Sequence, residues 1–267
     1  MSRTHCRSPD SVKCRALGLN PERYRLGMTE RIYSTEAYSK QMDATVVRTD
    51  VDDGRILLDR TVFYPGGGGQ PHDVGTLWIG DDALHVTKVA QDADGVWHWV
   101  DARLPPTGTA VRGEIDWDRR YRLMRTHTSL HALCGVVWDR FQSPVTGGNM
   151  EPGHGRLDFE LPDWDPENRQ PLEDALNQAI SRHLPIEVSF LPREEADQDP
   201  SLVRTKVNLL PPTLTEIRVI DIVGLDRQAD GGTHVNSTRE VGGVKITKVE
   251  SKGTGFRRIR VALDRED

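Results

Sequence analysis

The pattern of the chain changes abruptly near residues 112–120, and this change constrains the fold more than any other feature. Before it, from about residue 43 to residue 115, short β-branched and aromatic segments alternate with turn sequences such as DDGR, GDD and DADG. Many short strands at this spacing predict a small barrel or sandwich. From Asp118, DRRYRLMRTHTSLHALCGVVWDRF has no glycine or proline before Gly135, and its apolar residues recur at helical spacing. This predicts one long helix with Asp118 as its N-cap.

The second half of the chain predicts an α+β fold. A loop, SPVTGGNMEPGHG, leads to the strand RLDFEL, and PENRQPLEDALNQAISRHL predicts a second helix that ends before Pro185. IEVSFL predicts a strand and REEADQ a helical turn. TEIRVIDIVGL, GGVKITKVE and FRRIRVAL predict three strands of one sheet. We therefore divide the chain into a β-barrel domain over residues 28–117 and a second domain over residues 118–267.

Composition limits the classes of function that the chain can serve. Residues 1–27 lack a regular period and are interpreted as a disordered extension, with Met28 as an alternative start. The net charge of −6 excludes a wholly basic nucleic-acid coat. There is no run of ~18 apolar residues to span a membrane, and three cysteines are too few for a disulfide framework. A cytoplasmic protein, monomeric or homodimeric, is expected.

Two separated histidine motifs predict a metal site. His127 and His131 lie four residues apart on the predicted long helix, so their imidazoles share one face. Alone, such a pair is more typical of surface or core histidines. The sequence DGGTHV adds Asp230 and His234 from a turn between strands, and two ligands from a helix with one or two from a turn can close a tetrahedral site. Cys134 lies too far from His127 along the helix to share an ion, so we expect a buried, inert thiol.

A run of four glycines in FYPGGGGQPHDVG predicts a loop whose backbone can approach a ligand closely. It does not match the phosphate-binding loop, because no Lys-Ser/Thr pair follows it. An ordinary flexible hairpin loop is the alternative. His72, within this segment, is interpreted as a polar neighbour of the site and not as a ligand.

Five motifs, in order, resemble the AlaX family of free-standing relatives of the alanyl-tRNA synthetase editing domain. These are YPGGGGQPHDVG, RTHTSLH, TGGNMEPGHGRLDFEL, DGGTHVNSTREVG and KGTGFRRIRV, and the likeness covers roughly residues 28–265. It implies an N-terminal β-barrel carrying the glycine-rich loop, followed by an α+β editing domain. It also implies a trans-editing hydrolase that deacylates tRNA(Ala) mischarged with serine or glycine.

The resemblance also implies the zinc ligands. His127 and His131 match the family's His-x-x-x-His pair, and His234 matches the His of its second pair. The family's cysteine is replaced here by Asp230. Asp230 could be a direct ligand, in which case divalent first-row metals other than zinc become plausible. It could instead hydrogen-bond the water of a three-histidine site, or the site could be empty in a non-catalytic tRNA-binding paralogue. A metal hydrolase acting on another aminoacyl ester is a further alternative.

Catalysis and selectivity need groups beside the metal. A carboxylate such as Asp230 could take a proton from the attacking water, and a pocket that hydrogen-bonds the serine hydroxyl would spare alanine. We predict Thr128 and Gln70 as further catalytic residues. Predicted substrate contacts are Gly66, Gly67, Gly68, Gly69 and Thr233, with Arg258 and Arg260 as tRNA contacts. The basic stretches of this acidic chain are either solvated faces or phosphate-contacting edges.

Overall fold

A computed structural model of the chain describes residues 25–26, 29–205 and 214–264. A closed antiparallel barrel forms the first unit, with strand order β3-β4-β8-β7-β6-β9. Its strands are β3 (Gln41–Asp50), β4 (Arg55–Leu58), β6 (Gly75–Ile79), β7 (Asp82–Asp92), β8 (Gly95–Val100) and β9 (Ala110–Ile115). A small sheet, β1 (Arg25–Leu26), β2 (Thr29–Arg31) and β5 (Arg60–Thr61), stands beside it. The predicted barrel is confirmed.

Alternating burial explains why these segments close into a barrel. In β3, for example, Met42, Ala44 and Val46 are buried while the residues between them are exposed or half-buried. Closure leaves no free edge in these six strands, which removes the risk of edge-to-edge pairing. Most of the predicted disordered extension lies outside the described residues. Arg25 and Leu26, at its end, form β1.

The long helix α1 (Trp117–Phe141) begins directly after the barrel, where the change of sequence pattern predicts it. Its N-cap is Asp116, whose side chain accepts the amide of Arg119, so the predicted N-cap, Asp118, is wrong. Asp118 lies in the first turn, where its carboxylate interacts favourably with the positive end of the helix dipole. The helix is buried along most of its length and forms the centre of the second core. None of the helices in the described part of the chain could span a membrane.

Two sheets and two shorter helices complete the second unit. The four-stranded sheet has the order β10-β11-β16-β15, and the three-stranded sheet the order β12-β13-β14. Their strands are β10 (Val145–Glu151), β11 (His154–Glu160), β12 (Ile186–Pro192), β13 (Glu216–Ile222), β14 (Asp226–Ala229), β15 (Val244–Ser251) and β16 (Phe256–Leu263). The helices are α2 (Arg169–Ile180), after a 3-10 turn at Pro166–Asn168, and α3 (Arg193–Ala196). The predicted α+β class is confirmed.

Two details of the predicted sheet are wrong. The segment from residue 215 to residue 225 was expected beside the two C-terminal strands, but β13 pairs with β12 and β14 instead. The predicted loop at residues 143–155 contains β10, which pairs with β11. Both errors arise because strand partners depend on tertiary packing, and because glycines at 147 and 148 disguise a strand that lies at a sheet edge.

A buried ion pair joins the barrel to the second unit. Arg120, in the first turns of α1, pairs with Asp73 of the barrel, and both side chains are almost completely buried. The guanidinium also donates to the carbonyls of Ala37 (2.9 Å) and Val62 (2.6 Å). Asp73 in turn accepts the amide of Tyr64 at 2.7 Å, and its own amide donates to the Tyr64 carbonyl at 2.9 Å. The pair therefore fixes both ends of the glycine-rich loop against α1.

Replacing Arg120 with Met should destabilise the protein by about 3–5 kcal/mol, because it leaves the Asp73 carboxylate buried without a partner. Arg122→Met, on the exposed side of the same helix, is the matched control and should change stability by less than about 0.5 kcal/mol. Urea denaturation followed by circular dichroism measures both. Equal midpoints for the two variants would contradict the role given to the pair.

Candidate metal centre

Four side chains from two elements converge on one point. Ligand atoms of His127 and His131, from α1, and of Asp230 and His234, from the turn after β14, all lie within 4.8 Å of one another. The three rings pack together, with centroid separations of 5.0 Å (His127–His131), 4.3 Å (His127–His234) and 4.7 Å (His131–His234). The structure thus brings together all four residues that were predicted as metal ligands.

Gln70, from the glycine-rich loop of the barrel, orients the first imidazole. Its Oε1 accepts the amide of Thr233 at 3.0 Å and lies 2.9 Å from Nδ1 of His127. Its Nε2 donates to Oγ1 of Thr233 at 2.8 Å. Because Oε1 is an acceptor, Nδ1 of His127 carries the proton and Nε2 keeps a lone pair for a ligand. This arrangement prepares His127 to bind a metal through Nε2.

The other two imidazoles also have a polar neighbour at Nδ1. Nδ1 of His234 lies 3.1 Å from Oγ1 of Thr128, and Nδ1 of His131 lies 3.2 Å from Oδ2 of the buried Asp226. Nε2 of His234 lies 3.1 Å from Oδ2 of Asp230, and Nε2 of His127 lies 3.7 Å from Oδ1, so these two Nε2 atoms face the carboxylate at the centre of the cluster. Metal-binding histidines in proteins have a polar partner at the other ring nitrogen in almost every case.

The charge states of the cluster suit a cation. Burial lowers the pKa of His127 well below its ordinary value and that of His234 to about 4, so both rings are neutral at pH 7. Burial acts on His131 in the same direction, but the carboxylate of Asp226 raises its pKa overall. Burial alone would raise the pKa of Asp230, yet the neighbouring imidazoles hold it well below its usual range. The centre is therefore an anion among imidazoles.

The turn that carries Asp230 is held from two sides. Oδ2 of Asp230 accepts the amide of Gly232 at 2.7 Å, a side-chain turn that Asp favours. Arg218, on β13, donates to the carbonyls of Asp230 (3.0 Å) and Gly232 (2.8 Å) and, on its other side, to the carbonyl of Ser34 (2.9 Å). Its guanidinium thus connects the Asp230 turn with the barrel side of the molecule.

Lack of space for a side chain explains why residue 232, the second of the two glycines in this turn, is glycine. A Cβ on Gly232 would lie 2.3 Å from Cε1 of His127 and 2.8 Å from Oε1 of Gln70, which is closer than real contacts allow. A Cβ on Gly231 would meet nothing within 4 Å. Because the ring of His127 packs closely against this turn, residue 232 must be glycine, whereas position 231 has room for a side chain.

The glycine-rich loop forms the wall of the centre. Its four glycines all have positive φ, and Gly67 and Gln70 exchange two backbone hydrogen bonds of 3.0 and 2.9 Å. A Cβ on Gly68 would lie 3.5 Å from Oδ1 of Asp230. The carbonyl of Gly69 accepts the amide of Met150, on β10. Backbone without side chains thus borders Asp230, and contact of Gly66, Gly67, Gly68 and Gly69 with a substrate stays a prediction.

The chemistry of these donors fits a divalent metal. Three imidazoles and one carboxylate are a common set for first-row ions, with zinc preferring four ligands in tetrahedral geometry. Cys134 is buried on the same helix, and burial raises the pKa of its thiol well above the ordinary value. It is not part of the ligand group. Nδ1 of His72 bonds the carbonyl of Asp73, and His72 is likewise outside the group.

Other predicted site residues occupy different positions. Gln70, Thr128 and Thr233 are completely or almost completely buried beside the imidazoles, so their contact with substrate stays a prediction. Arg258 makes two hydrogen bonds to Asp158, and Arg260 donates to Glu250 at 2.6 Å. Both arginines lie on the open face of the four-stranded sheet, so a tRNA contact for them also stays a prediction.

Sequence reasoning missed two residues that the site uses, Asp226 and Arg218. A signal for Asp226 exists, since DRQAD places two carboxylates four residues apart, one at the start of a short strand and one directly after it. Arg218 gave no signal, because its role depends on the pairing of β13 with β14, which brings its guanidinium to the turn.

Comparison with known proteins places this fold and centre in a class. Residues 217–260 match the model of the threonyl and alanyl tRNA synthetase second additional domain, and residues 24–119 match that of class II (A) tRNA synthetases. The chain is also 36% identical to an alanine–tRNA ligase of Pyrobaculum aerophilum, over 86% of this chain and 26% of that ligase. The class is therefore that of synthetase editing-domain relatives.

Other similar proteins are matched over almost their whole length. The chain is 37% identical to the alanyl-tRNA editing protein AlaX-M of Saccharolobus solfataricus, over 87% of this chain and 98% of that protein. It is 36% identical to AlaX-M of Methanosarcina barkeri, over 88% of this chain and 99% of that protein. The chain belongs to the AlaX-M family of alanyl-tRNA editing proteins.

Gly232→Ala should weaken metal binding by at least about tenfold, because the new methyl group displaces His127 and Gln70, and disturbing the partner of a ligand alone costs that much. Gly231→Ala is the matched control and should bind metal like the unchanged protein. Equilibrium dialysis with elemental analysis gives the metal content of each. Equal metal affinity in the two variants would show that the close approach at 232 does not matter.

Proposed function

We propose that this chain is a metal-dependent trans-editing deacylase that hydrolyses the ester of tRNA(Ala) mischarged with serine. The observation that supports it most is the oriented cluster of three histidines and Asp230 beside a loop of bare backbone. The family membership supplies the substrate class. The net charge of −6 fits a protein that contacts RNA through local basic groups and not through its whole surface.

The metal would be held by Nε2 of each histidine and by Asp230. We assign Oδ1 of Asp230 as its ligand oxygen, because Oδ2 already accepts the amide of Gly232. A bound Zn²⁺ supplies a Lewis acid that polarises an ester carbonyl and lowers the pKa of water to ~7. Gln70, Thr128 and Asp226 keep the three rings in position and in the required tautomer, so we assign them as positioning residues.

The glycine-rich loop would admit the end of the tRNA. Its backbone lies against Oδ1 of Asp230 at Gly68, and no side chain there stands between the ligand carboxylate and an incoming ribose. All four glycines have positive φ, a backbone conformation that other residues rarely adopt. Close approach of the ester to the centre follows from this lack of side chains.

Discrimination against alanine needs a polar partner for the serine hydroxyl. Two hydroxyl groups lie beside the cluster: that of Thr128, 3.1 Å from Nδ1 of His234, and that of Thr233, which accepts Nε2 of Gln70. A hydroxyl can accept and donate at the same time, so each retains capacity for one further bond. A site that loses this bond with alanine would reject it through the unpaired polar group.

The direct test measures ester hydrolysis on purified Ser-tRNA(Ala), Gly-tRNA(Ala) and Ala-tRNA(Ala), with and without chelator. Fast loss of serine that the chelator abolishes, with alanine spared, is the expected result. Adding zinc or another first-row metal back to the chelated protein should restore the rate and shows which ion serves. No loss above spontaneous hydrolysis, with metal present, would overturn the proposal for this substrate.

Asp230→Cys, which introduces the family's usual ligand, tests the role of the carboxylate. If Asp230 is a ligand, this variant should keep its metal and deacylate Ser-tRNA(Ala) within about tenfold of the unchanged rate. Asp230→Ala should bind metal about 10- to 100-fold more weakly. Metal content and rate are measured on the same samples. Full metal content without hydrolysis in Asp230→Cys would instead make Asp230 the base.

A further inference from the structure

A row of like charges crosses the open face of the four-stranded sheet. Arg156 of β11 lies directly opposite Arg260 of β16, and Arg260 lies directly opposite Lys248 of β15. Like charges at directly opposed positions destabilise a sheet. The row continues at its other end to Asn149 of β10, which faces Arg156. Three aligned cations on three strands are therefore a feature that folding alone does not explain.

These side chains face away from the core. Leu157, Ile259 and Val261, which alternate with them along β11 and β16, are buried against α1 and its neighbours. On the open face, the side chain of Arg260 is 43% exposed and that of Lys248 is 64% exposed. The helices cover one face of the sheet, and the cations occupy the other.

The cations of this face share their carboxylate partners. Asp158 is shared by Arg156 (3.1 Å) and Arg258 (2.7 Å). Glu250 is shared by Lys248 (2.8 Å) and Arg260 (2.6 Å). Because each carboxylate is divided between two cations, Arg156, Arg260 and Lys248 keep N–H donors that can bind a further anion. A row of such donors suits an anionic partner.

The row begins beside the metal centre. Gly69, the last glycine of the loop, packs against β10, where its added Cβ would lie 3.4 Å from the carbonyl of Gly148 and 3.6 Å from Cα of Asn149. The same loop borders Asp230 at Gly68. A chain leaving the centre over the glycine loop would therefore reach Asn149 first and the cations next.

We infer that Arg156, Arg260 and Lys248 form a phosphate-binding track for the acceptor strand of an RNA whose 3′ end lies at the metal centre. The inference rests on the proposed function and deepens it by naming the surface that receives the RNA. Adjacent strands are about 4.8 Å apart, so the row from Asn149 to Lys248 is ~14 Å long. This length serves a short run of backbone phosphates and reads no base sequence.

The test uses the full chain and fluorescently labelled tRNA(Ala) that carries no amino acid. Binding is followed by anisotropy over a range of salt concentrations. The triple variant R156Q/K248Q/R260Q should bind at least tenfold more weakly. Its slope of log affinity against log salt should fall by about two, since each lost phosphate contact contributes about 0.7–0.9. R156K/R260K, which keeps the charges, should retain most of the affinity and shows whether charge or fold is responsible.

The control variant K88Q/R103Q/R112Q removes three cations from the exposed surface of the barrel. It should change affinity by less than twofold. An equal loss in this control, or an unchanged salt slope in the sheet variant, would overturn the track. Because this tRNA carries no amino acid, the binding result does not depend on ester hydrolysis. If the protein does not deacylate Ser-tRNA(Ala) but only the sheet variant loses RNA affinity, the proposed enzymatic activity is refuted and the RNA-binding surface stands.

Discussion

The buried pair between Arg120 and Asp73 is the interaction on which the rest of the site depends. Desolvating two charges is costly, and the pair is retained only because the remaining donors and acceptors are satisfied by the carbonyls of Ala37 and Val62 and the amide of Tyr64. Arg120 lies two turns before His127 on the same rigid helix. The glycine-rich loop and the two helical histidines are therefore placed relative to each other by one hydrogen-bonded group, and a displacement there would also displace the histidine cluster.

Much of this could be predicted from the sequence. Strand-length segments before residue 115 and an uninterrupted helical period after it determine both units, and two motifs far apart in the chain give the four candidate ligands. What could not be predicted depends on strand partners. Because β13 lies outside the main sheet, Arg218 reaches the turn that carries Asp230. Local pattern contains no information about such a pairing, since it reports which face of a strand is buried and not which strand lies beside it.

Asp230 gives the centre a carboxylate at the position where the sequence resemblance implies a cysteine. A carboxylate has two oxygens, and here one accepts the amide of Gly232 while the other borders the glycine loop. A thiolate could not serve both purposes with a single atom. The aspartate therefore stabilises its own turn and has a second oxygen that could bind an ion, and as a ligand it would be a harder donor than a thiolate, with a weaker preference for zinc over other first-row ions.

Gln70 belongs to the barrel, yet it orients an imidazole of the other unit. Neither half of the chain can assemble the centre alone, since the ligands come from one half and the group that selects the tautomer of His127 comes from the other. A cut between β9 and α1 would give a second half with all four ligands and an unanchored ring. The barrel thus contributes directly to the candidate centre through Gln70 and is not an appended module, and the junction at Asp116 is a poor place to separate the protein into independent parts.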